Sequence, residues 1–361
     1  MRKVGAPDFI IFFTMITLLG LGVMMVFSAT SIRAYADYGD SFYFLKKQFL
    51  WSVIGIGAMV FFMTIDYKFY KQFAQLGLLV SLGLLLAVLF MGKVVGGSQR
   101  WLGFGMLNIQ PSEVVKLAMV FYMARYLAVK QYKLDKFKGL VPPLTILGLT
   151  CGLILAQPDL GTAVTIAGTV MIMFVAAGIH YKYLGSLAGV GLLGVVYLIF
   201  SAPYRKERLL AFLDPWSDPL DSGFHIIQSL YALGSGGLFG VGIGQSRQKF
   251  FYLPEPGTDF IYAIIGEELG FLGTMLVVAL FFLFAWRGLR IALEAPDLFG
   301  SFLAVGITTM VTMQAVINIA VVTGSMPVTG ITLPFISYGG SSLVIMLSSV
   351  GVLLNISRYT K

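Results

Sequence analysis

The stretch Tyr252-Leu-Pro-Glu-Pro-Gly-Thr-Asp-Phe-Ile places one carboxylate, Asp259, at the end of a long polar segment and directly before an apolar run long enough to cross a bilayer. A carboxylate at such a mouth can accept a proton from an attacking hydroxyl. Five cations share its segment: Arg205, Lys206, Arg208, Arg247 and Lys249. They suit a phosphate-bearing ligand, through the forked donors of arginine, and equally suit anionic lipid headgroups. Glu255, four residues upstream, offers a second carboxylate or an exposed loop charge. A structural role for Asp259 is also open: with Thr258 as the cap of the following helix, it would sit in the first turn, where the macrodipole favours negative charge.

Ionisable residues inside apolar runs are costly and need either a partner or a task. Glu113 and Lys116 in Gln110-Pro-Ser-Glu-Val-Val-Lys are three apart, so on a helix they can pair with each other. Alternatively Lys116, near the outer leaflet and close to Arg100, helps bind a pyrophosphate or orients an acidic partner. Ser112 after Pro111 reads as a helix cap, and Asp159 as the cap of the next helix. Glu267 and Glu268 anchor the helix behind Asp259. The glycine run from Gly234 to Gly244 resembles a dinucleotide fingerprint only superficially, because no βαβ unit surrounds it. A tight turn, or backbone N–H groups approaching a phosphate, fits it better. His180 and His225 fall on opposite faces and cannot share a metal. No Ser-His-Asp arrangement, Walker loop or cysteine cluster is present.

The elements that must position these groups are membrane helices. The chain has 361 residues, of which 58% are hydrophobic and 12% charged, with a mean hydropathy of +0.87. That composition defines an all-α polytopic membrane protein. Apolar windows predict ten spans near residues 8–29, 47–64, 73–92, 112–129, 141–156, 162–179, 183–200, 261–286, 299–323 and 335–356. The first reads as an uncleaved helix rather than a removed signal. Lys and Arg from Arg2 and Lys3, through Lys130, Lys133, Lys136 and Lys138, to Arg358 and Lys361 gather on one face. Only Arg33, Lys46, Lys47, Lys93 and Arg100 fall in short loops on the other. The positive-inside rule then places both termini in the cytoplasm and residues 201–260 outside, as one large extracytoplasmic loop carrying the site. Its aromatic and aliphatic residues predict short amphipathic helices on the membrane surface. The net charge of +8 is dispersed over loops, so topology explains it and nucleic acid does not. Cys151 has no partner for a disulfide.

Several motifs together resemble the SEDS family of bacterial cell-wall proteins (shape, elongation, division and sporulation) along essentially the whole chain, as a single domain over 1–361. They are Gln99-Arg-Trp-Leu, Gln110-Pro-Ser-Glu-Val-Val-Lys, Gln157-Pro-Asp-Leu-Gly-Thr, the Arg-Leu-x-x-Phe-Leu-Asp-Pro stretch from Arg208, Gln228-Ser-Leu-Tyr-Ala, the Pro-Glu-x-x-Thr-Asp-Phe run ending at Phe260, Gly266-Glu-Glu-Leu-Gly, and Pro327-Val-Thr-Gly-Ile-Thr-Leu-Pro-Phe-Ile-Ser-Tyr-Gly-Gly. Tyr-Leu-Pro-Glu-Pro and Val-Thr-Gly-Ile-Thr-Leu-Pro-Phe are more similar to the division and sporulation branch (FtsW and SpoVE) than to the elongation branch (RodA).

The resemblance implies a peptidoglycan glycosyltransferase of the bacterial cytoplasmic membrane that polymerises lipid II, serving septal or spore-cortex synthesis. It implies that Asp259 is the essential aspartate and that Arg100, Glu113 and Lys116 matter for activity. It further implies a class B penicillin-binding protein as partner, with divisome or sporulation proteins around it. On this reading Asp259 deprotonates the acceptor hydroxyl while Arg208, Arg100 and Lys116, and less directly Arg247 and Lys249, stabilise the undecaprenyl pyrophosphate that leaves the growing glycan. Gln228 supports the site. No cofactor is specified. A divalent cation (Mg or Mn) is compatible as a Lewis acid, but a lone Asp259 does not define a protein-built metal site. Two features depart from the family pattern: Gly257, where relatives often carry His or Gln, and the short tails, which leave little for recruitment. The competing reading is a lipid II flippase or other transporter, whose key charges would cluster near the midplane; a purely scaffolding subunit is a third.

Overall fold

A computed structural model describes residues 5–95, 98–104, 107–134, 136–250 and 252–360. Arg2, Lys3 and Lys361, invoked above for topology, lie outside them. In chain order the helices are α1 (Phe9–Tyr38), α2 (Tyr43–Thr64), α3 (Tyr67–Met91), α4 (Pro111–Lys130), α5 (Phe137–Leu155), α6 (Leu160–Ala176), α7 (Tyr181–Phe200), α8 (Pro203–Leu213), α9 (Phe224–Ser235), α10 (Ile261–Glu294), α11 (Leu298–Val322) and α12 (Gly340–Ser357). Eight of these are long and apolar enough to cross a membrane. The remaining two of the ten expected spans are α6, apolar but only 17 residues long, and α4, whose hydropathy is lowered by Glu113, Lys116, Arg125 and Lys130.

Burial divides the helices by role. The apolar helix α7 contributes no buried residue, an arrangement that only lipid can solvate. Conversely α11 packs against α10, α4, α6 and α12 and is buried along most of its length. It is the post around which the site is assembled. The connections 92–110, 156–159, 201–260 and 323–339 meet at one end of the bundle. The first and last described residues lie at the other, where the Gly5 N–H donates to the Arg358 carbonyl at 2.8 Å and Asp8 pairs with Arg287.

Three expectations need correction. Residues between α3 and α4 form a small antiparallel sheet, β1 (Lys93–Val95), β2 (Ser98–Phe104) and β3 (Leu107–Ile109), in the order β1-β2-β3. The last span starts at Gly340 rather than near 335, because residues 324–339 run as irregular chain with Leu333, Phe335, Ile336 and Ser337 buried. Pro327 and Pro334 cannot donate to a helical ladder there. Finally, Pro111 is the first residue of α4 with Gln110 at its cap position, so Ser112 lies inside the helix and caps nothing.

The glycine run of 234–244 has a structural use. Within α10, Gly270 adopts φ 68° and ψ −166°, breaking the helix and freeing backbone groups that need partners in a membrane. Residues 237–242 supply them. Phe271 N–H donates to the Gly237 carbonyl at 2.9 Å, Leu272 N–H to Leu238 at 3.2 Å, Val241 N–H to Glu267 at 3.0 Å and Gly242 N–H to Glu268 at 3.1 Å. The tight turn expected from the sequence is present, and the N–H groups of Val241 and Gly242 are spent on α10 rather than left for a phosphate.

Candidate active site

The connection between α7 and α10 folds into α8, α9 and ordered turns, and together with residues 328–330 it encloses a cavity of about 310 Å³. Tyr204, Glu207 and Arg208 of α8, Asp221, Ser222 and His225 at the start of α9, and Glu255 with Asp259 line its walls. Asp259 lies one residue before the Phe260 cap position of α10. Thr258 therefore does not cap the helix; its hydroxyl donates to Glu255 Oε2 at 3.1 Å. Asp259 is thus free of a capping role, and its carboxylate lies against Gly330, where an added Cβ would stand 3.6 Å from Oδ2.

The backbone under that carboxylate is held from below. Asn318 of α11, buried, donates from Nδ2 to the carbonyls of Asp259 and Ile331, both at 2.7 Å. Ser337 Oγ donates to the Thr258 carbonyl at 2.6 Å, and Tyr338 N–H to the Gly257 carbonyl at 2.8 Å. Burial and the neighbouring Glu255 raise the Asp259 pKa from the ordinary carboxylate value to about 6, while Arg100 and Arg208 act in the opposite direction. A base poised near neutrality combines adequate ionisation with adequate basicity.

The cations divide into those at the cavity and those placed elsewhere. Arg208 lines it, exposed, with one N–H donated to the Val328 carbonyl at 3.2 Å. Arg100 on β2 stands behind the wall, donating to the carbonyls of Gln157 at 3.1 Å and Pro158 at 2.5 Å and approaching Asp159 at 4.0 Å. Asp159 caps α6 as expected, accepting from Thr162 N–H. Lys116 is buried, 2.8 Å from Glu113 and 2.6 Å from Gln314 Oε1. Gln314 in turn donates to the Thr332 carbonyl at 3.1 Å, and Ser342 donates to Glu113 at 3.0 Å. Glu113 thus ties α4 to α12, Lys116 reaches Thr332 in the segment 331–338 through Gln314, and neither lines the cavity.

Lys249 is likewise withdrawn. It is buried against Glu268 at 3.1 Å and the Gly244 carbonyl at 2.6 Å, which removes its ammonium from the pyrophosphate role expected of it. Arg247 is exposed away from the cavity wall, its backbone N–H donating to Glu267 at 2.7 Å. Glu267 also takes the Ser246 hydroxyl at 2.5 Å, and Glu268 takes Ser28 at 2.6 Å. The acidic pair therefore ties the chain entering the Asp259 turn to α10 and α1. Gln228 is half-buried on α9, one turn beyond His225, and does not line the cavity.

Sequence reasoning missed His225, Tyr204, Glu207 and Asn318. In sequence His225 reads only as half of an excluded metal pair, and Asn318 as one polar residue in an apolar span; buried amides in spans are a usable signal. Among the described residues no group of three or more His, Cys, Asp or Glu stands close enough to hold a metal ion.

The fold and site define a polytopic helical membrane protein whose ionisable cavity is lined by the connections between helices rather than by the middle of the long spans. More particularly, the chain belongs to the family described as cell cycle protein, grouping FtsW, RodA and SpoVE, whose model matches residues 9–361. It is 51% identical over 362 residues to stage V sporulation protein E of Bacillus subtilis (strain 168), covering 99% of each chain. It is 46% identical over 360 residues to the probable peptidoglycan glycosyltransferase FtsW of Geobacter sp. (strain M18), covering 99% of this chain and 98% of that one. Among solved structures it is similar to a chain of a peptidoglycan synthase complex described as coordinating polymerization and crosslinking, with a TM-score of 0.81, 29% identity and 99% of each chain covered. Thermus thermophilus rod shape determining protein RodA gives a TM-score of 0.73 with 27% identity and the same coverage.

Proposed function

We propose that this chain is a peptidoglycan glycosyltransferase that polymerises lipid II at the outer face of the bacterial cytoplasmic membrane, in septal or spore-cortex wall synthesis. The observation that carries this reading is Asp259, a carboxylate with a raised pKa, set at the cavity wall beside Arg208 on a backbone fixed by Asn318 and Ser337. Asp259 takes the proton of the acceptor sugar hydroxyl as its oxygen bonds to the anomeric carbon of the donor. The bond from that carbon to pyrophosphate breaks with inversion from α to β, and undecaprenyl pyrophosphate leaves with the electron pair. Arg208 stabilises the charge that develops on it.

Both termini lie in the cytoplasm on this reading, which the loop charges support. A class B penicillin-binding protein crosslinks the product; the similarity to a chain of a synthase complex supports a partner of that kind. Gel-resolved polymerisation of labelled lipid II by the purified protein, with and without its transpeptidase, tests the reading. Glycan ladders from wild type that vanish in a well-folded Asp259→Asn variant are expected. Ladders unchanged in the variant remove Asp259 as the base, and no product even with the partner moves the weight to lipid transport.

A further inference from the structure

His225 lines the same cavity as Asp259 and has no task in the chemistry above. It is the second residue of α9, and its ring lies nearly parallel to Phe260, with centroids 5.8 Å apart and planes 22° apart. Phe260 directly follows Asp259, so imidazole and carboxylate share one stretch of wall. The two edges of the ring are unlike. Nδ1 is buried with no hydrogen-bond partner, whereas the ring as a whole is half-buried and borders the cavity.

That asymmetry fixes the charge state. An imidazolium carries N–H on both nitrogens, and the buried one would stand desolvated and unpaired, the costliest state for a polar group. A neutral ring leaves Nδ1 as a bare acceptor and keeps its proton on Nε2. Burial and the Arg208 guanidinium both hold the imidazole below its ordinary pKa, outweighing Glu255, which acts the other way. The cavity is thus equipped with a cation for phosphate, a carboxylate for proton transfer, and a neutral N–H donor on an orienting aromatic platform. A neutral donor adds little to the binding of a pyrophosphate that Arg208 already faces. It suits an uncharged oxygen.

We propose that His225 is a substrate-binding residue that recognises the sugar of the lipid-linked substrate, donating from Nε2 to a hydroxyl or acetamido oxygen beside the group that Asp259 activates. The proposal rests on the glycosyltransferase reading for the identity of that sugar. It is tested by measuring the binding of lipid II, and of undecaprenyl pyrophosphate, which has the same pyrophosphate and tail but no sugar, to the full-length protein in detergent. His225→Phe keeps an aromatic ring on Phe260 and removes the donor. It should weaken lipid II binding about 5- to 10-fold, the loss of one neutral hydrogen bond, and leave undecaprenyl pyrophosphate binding unchanged. His225→Gln, which restores a neutral N–H, should recover most of the loss. Equal weakening of both lipids, unaltered lipid II binding in His225→Phe, or a Gln variant as weak as Phe overturns the proposal. Wild-type protein that binds lipid II in a His225-dependent way yet makes no glycan, alone or with its transpeptidase, overturns the enzymatic reading and leaves the sugar contact standing. Wild-type protein that binds neither lipid overturns both.

Discussion

The side-chain amide of Asn318 holds the carbonyls of Asp259 and Ile331 at 2.7 Å each, joining the turn that carries the carboxylate to the irregular chain after α11. Asn318→Ala leaves both carbonyls without this donor in a buried site, so about 2 kcal/mol of stability should be lost. Polymerisation should fall 10- to 100-fold, chiefly in kcat, because a carboxylate misplaced by an ångström loses its alignment. Thermal melting in detergent and steady-state kinetics check the two effects. A variant with normal kcat would show that Ser337 and Tyr338 suffice to hold the turn.

Activity should rise with pH through a limb centred at about 6, where Asp259 loses its proton and becomes able to accept another. The sign of two neighbours follows from their charge. Glu255 raises the Asp259 pKa, so Glu255→Gln should move the limb to lower pH; Arg208 lowers it, so Arg208→Gln should move the limb upward. The dependence of kcat on pH for the three proteins checks both directions.

Gly257 packs on α1 so closely that an added Cβ would stand 2.4 Å from Thr30 Cγ2. Gly257→Gln should therefore lower both stability and activity by shifting the Asp259 turn. Thr30→Ala in the same chain should restore them. Melting temperature and polymerisation rate, measured on the single and double variants, test this coupling.

Lys249 and Glu268 form a buried ion pair at 3.1 Å. Glu268→Leu strands a buried ammonium, and about 3–5 kcal/mol of destabilisation is expected. The double variant Lys249→Met, Glu268→Leu should lose much less, because no charge is left unpaired. Because Lys249 lies away from the cavity, the double variant should retain the wild-type affinity for undecaprenyl pyrophosphate; a large loss would return Lys249 to the pyrophosphate site.

The spans were legible because composition and hydropathy act locally: a run of about 20 apolar residues has few options other than a membrane helix. Where the observed bounds differ, a competing interaction overrides the local rule. The last span looked longer because Phe335 and Ile336 are as apolar as a helix core, yet they are buried in irregular chain that pins the active turn. The sheet containing Arg100 escaped notice because β2, Ser-Gln-Arg-Trp-Leu-Gly-Phe, does not alternate polar and apolar residues, and its neighbours β1 and β3 are only three residues long.

The residues at the cavity were only partly legible, since which cations face a ligand depends on partners remote in the chain. Arg208 and Lys249 look alike in sequence. One lines the cavity while the other is consumed by Glu268, 19 residues away. Likewise the Glu113–Lys116 pair was readable from its spacing, because residues three apart meet on any helix. Its link through Gln314 to Thr332 joins residues far apart in the chain and could not be read from spacing.

By itself the sequence determined the membrane-spanning all-α class, the carboxylate at the mouth of α10 and the local pairs along single helices, all set by interactions over a few residues. Only the tertiary structure decided that Asn318 holds Asp259 and Ser337 holds Thr258 beside it, that α9 brings His225 to the same wall, and that Gly270 breaks α10 to receive the glycine turn. Each of these needs two segments distant in sequence to meet, and buried polar groups then choose whichever partner the packing puts within hydrogen-bonding reach.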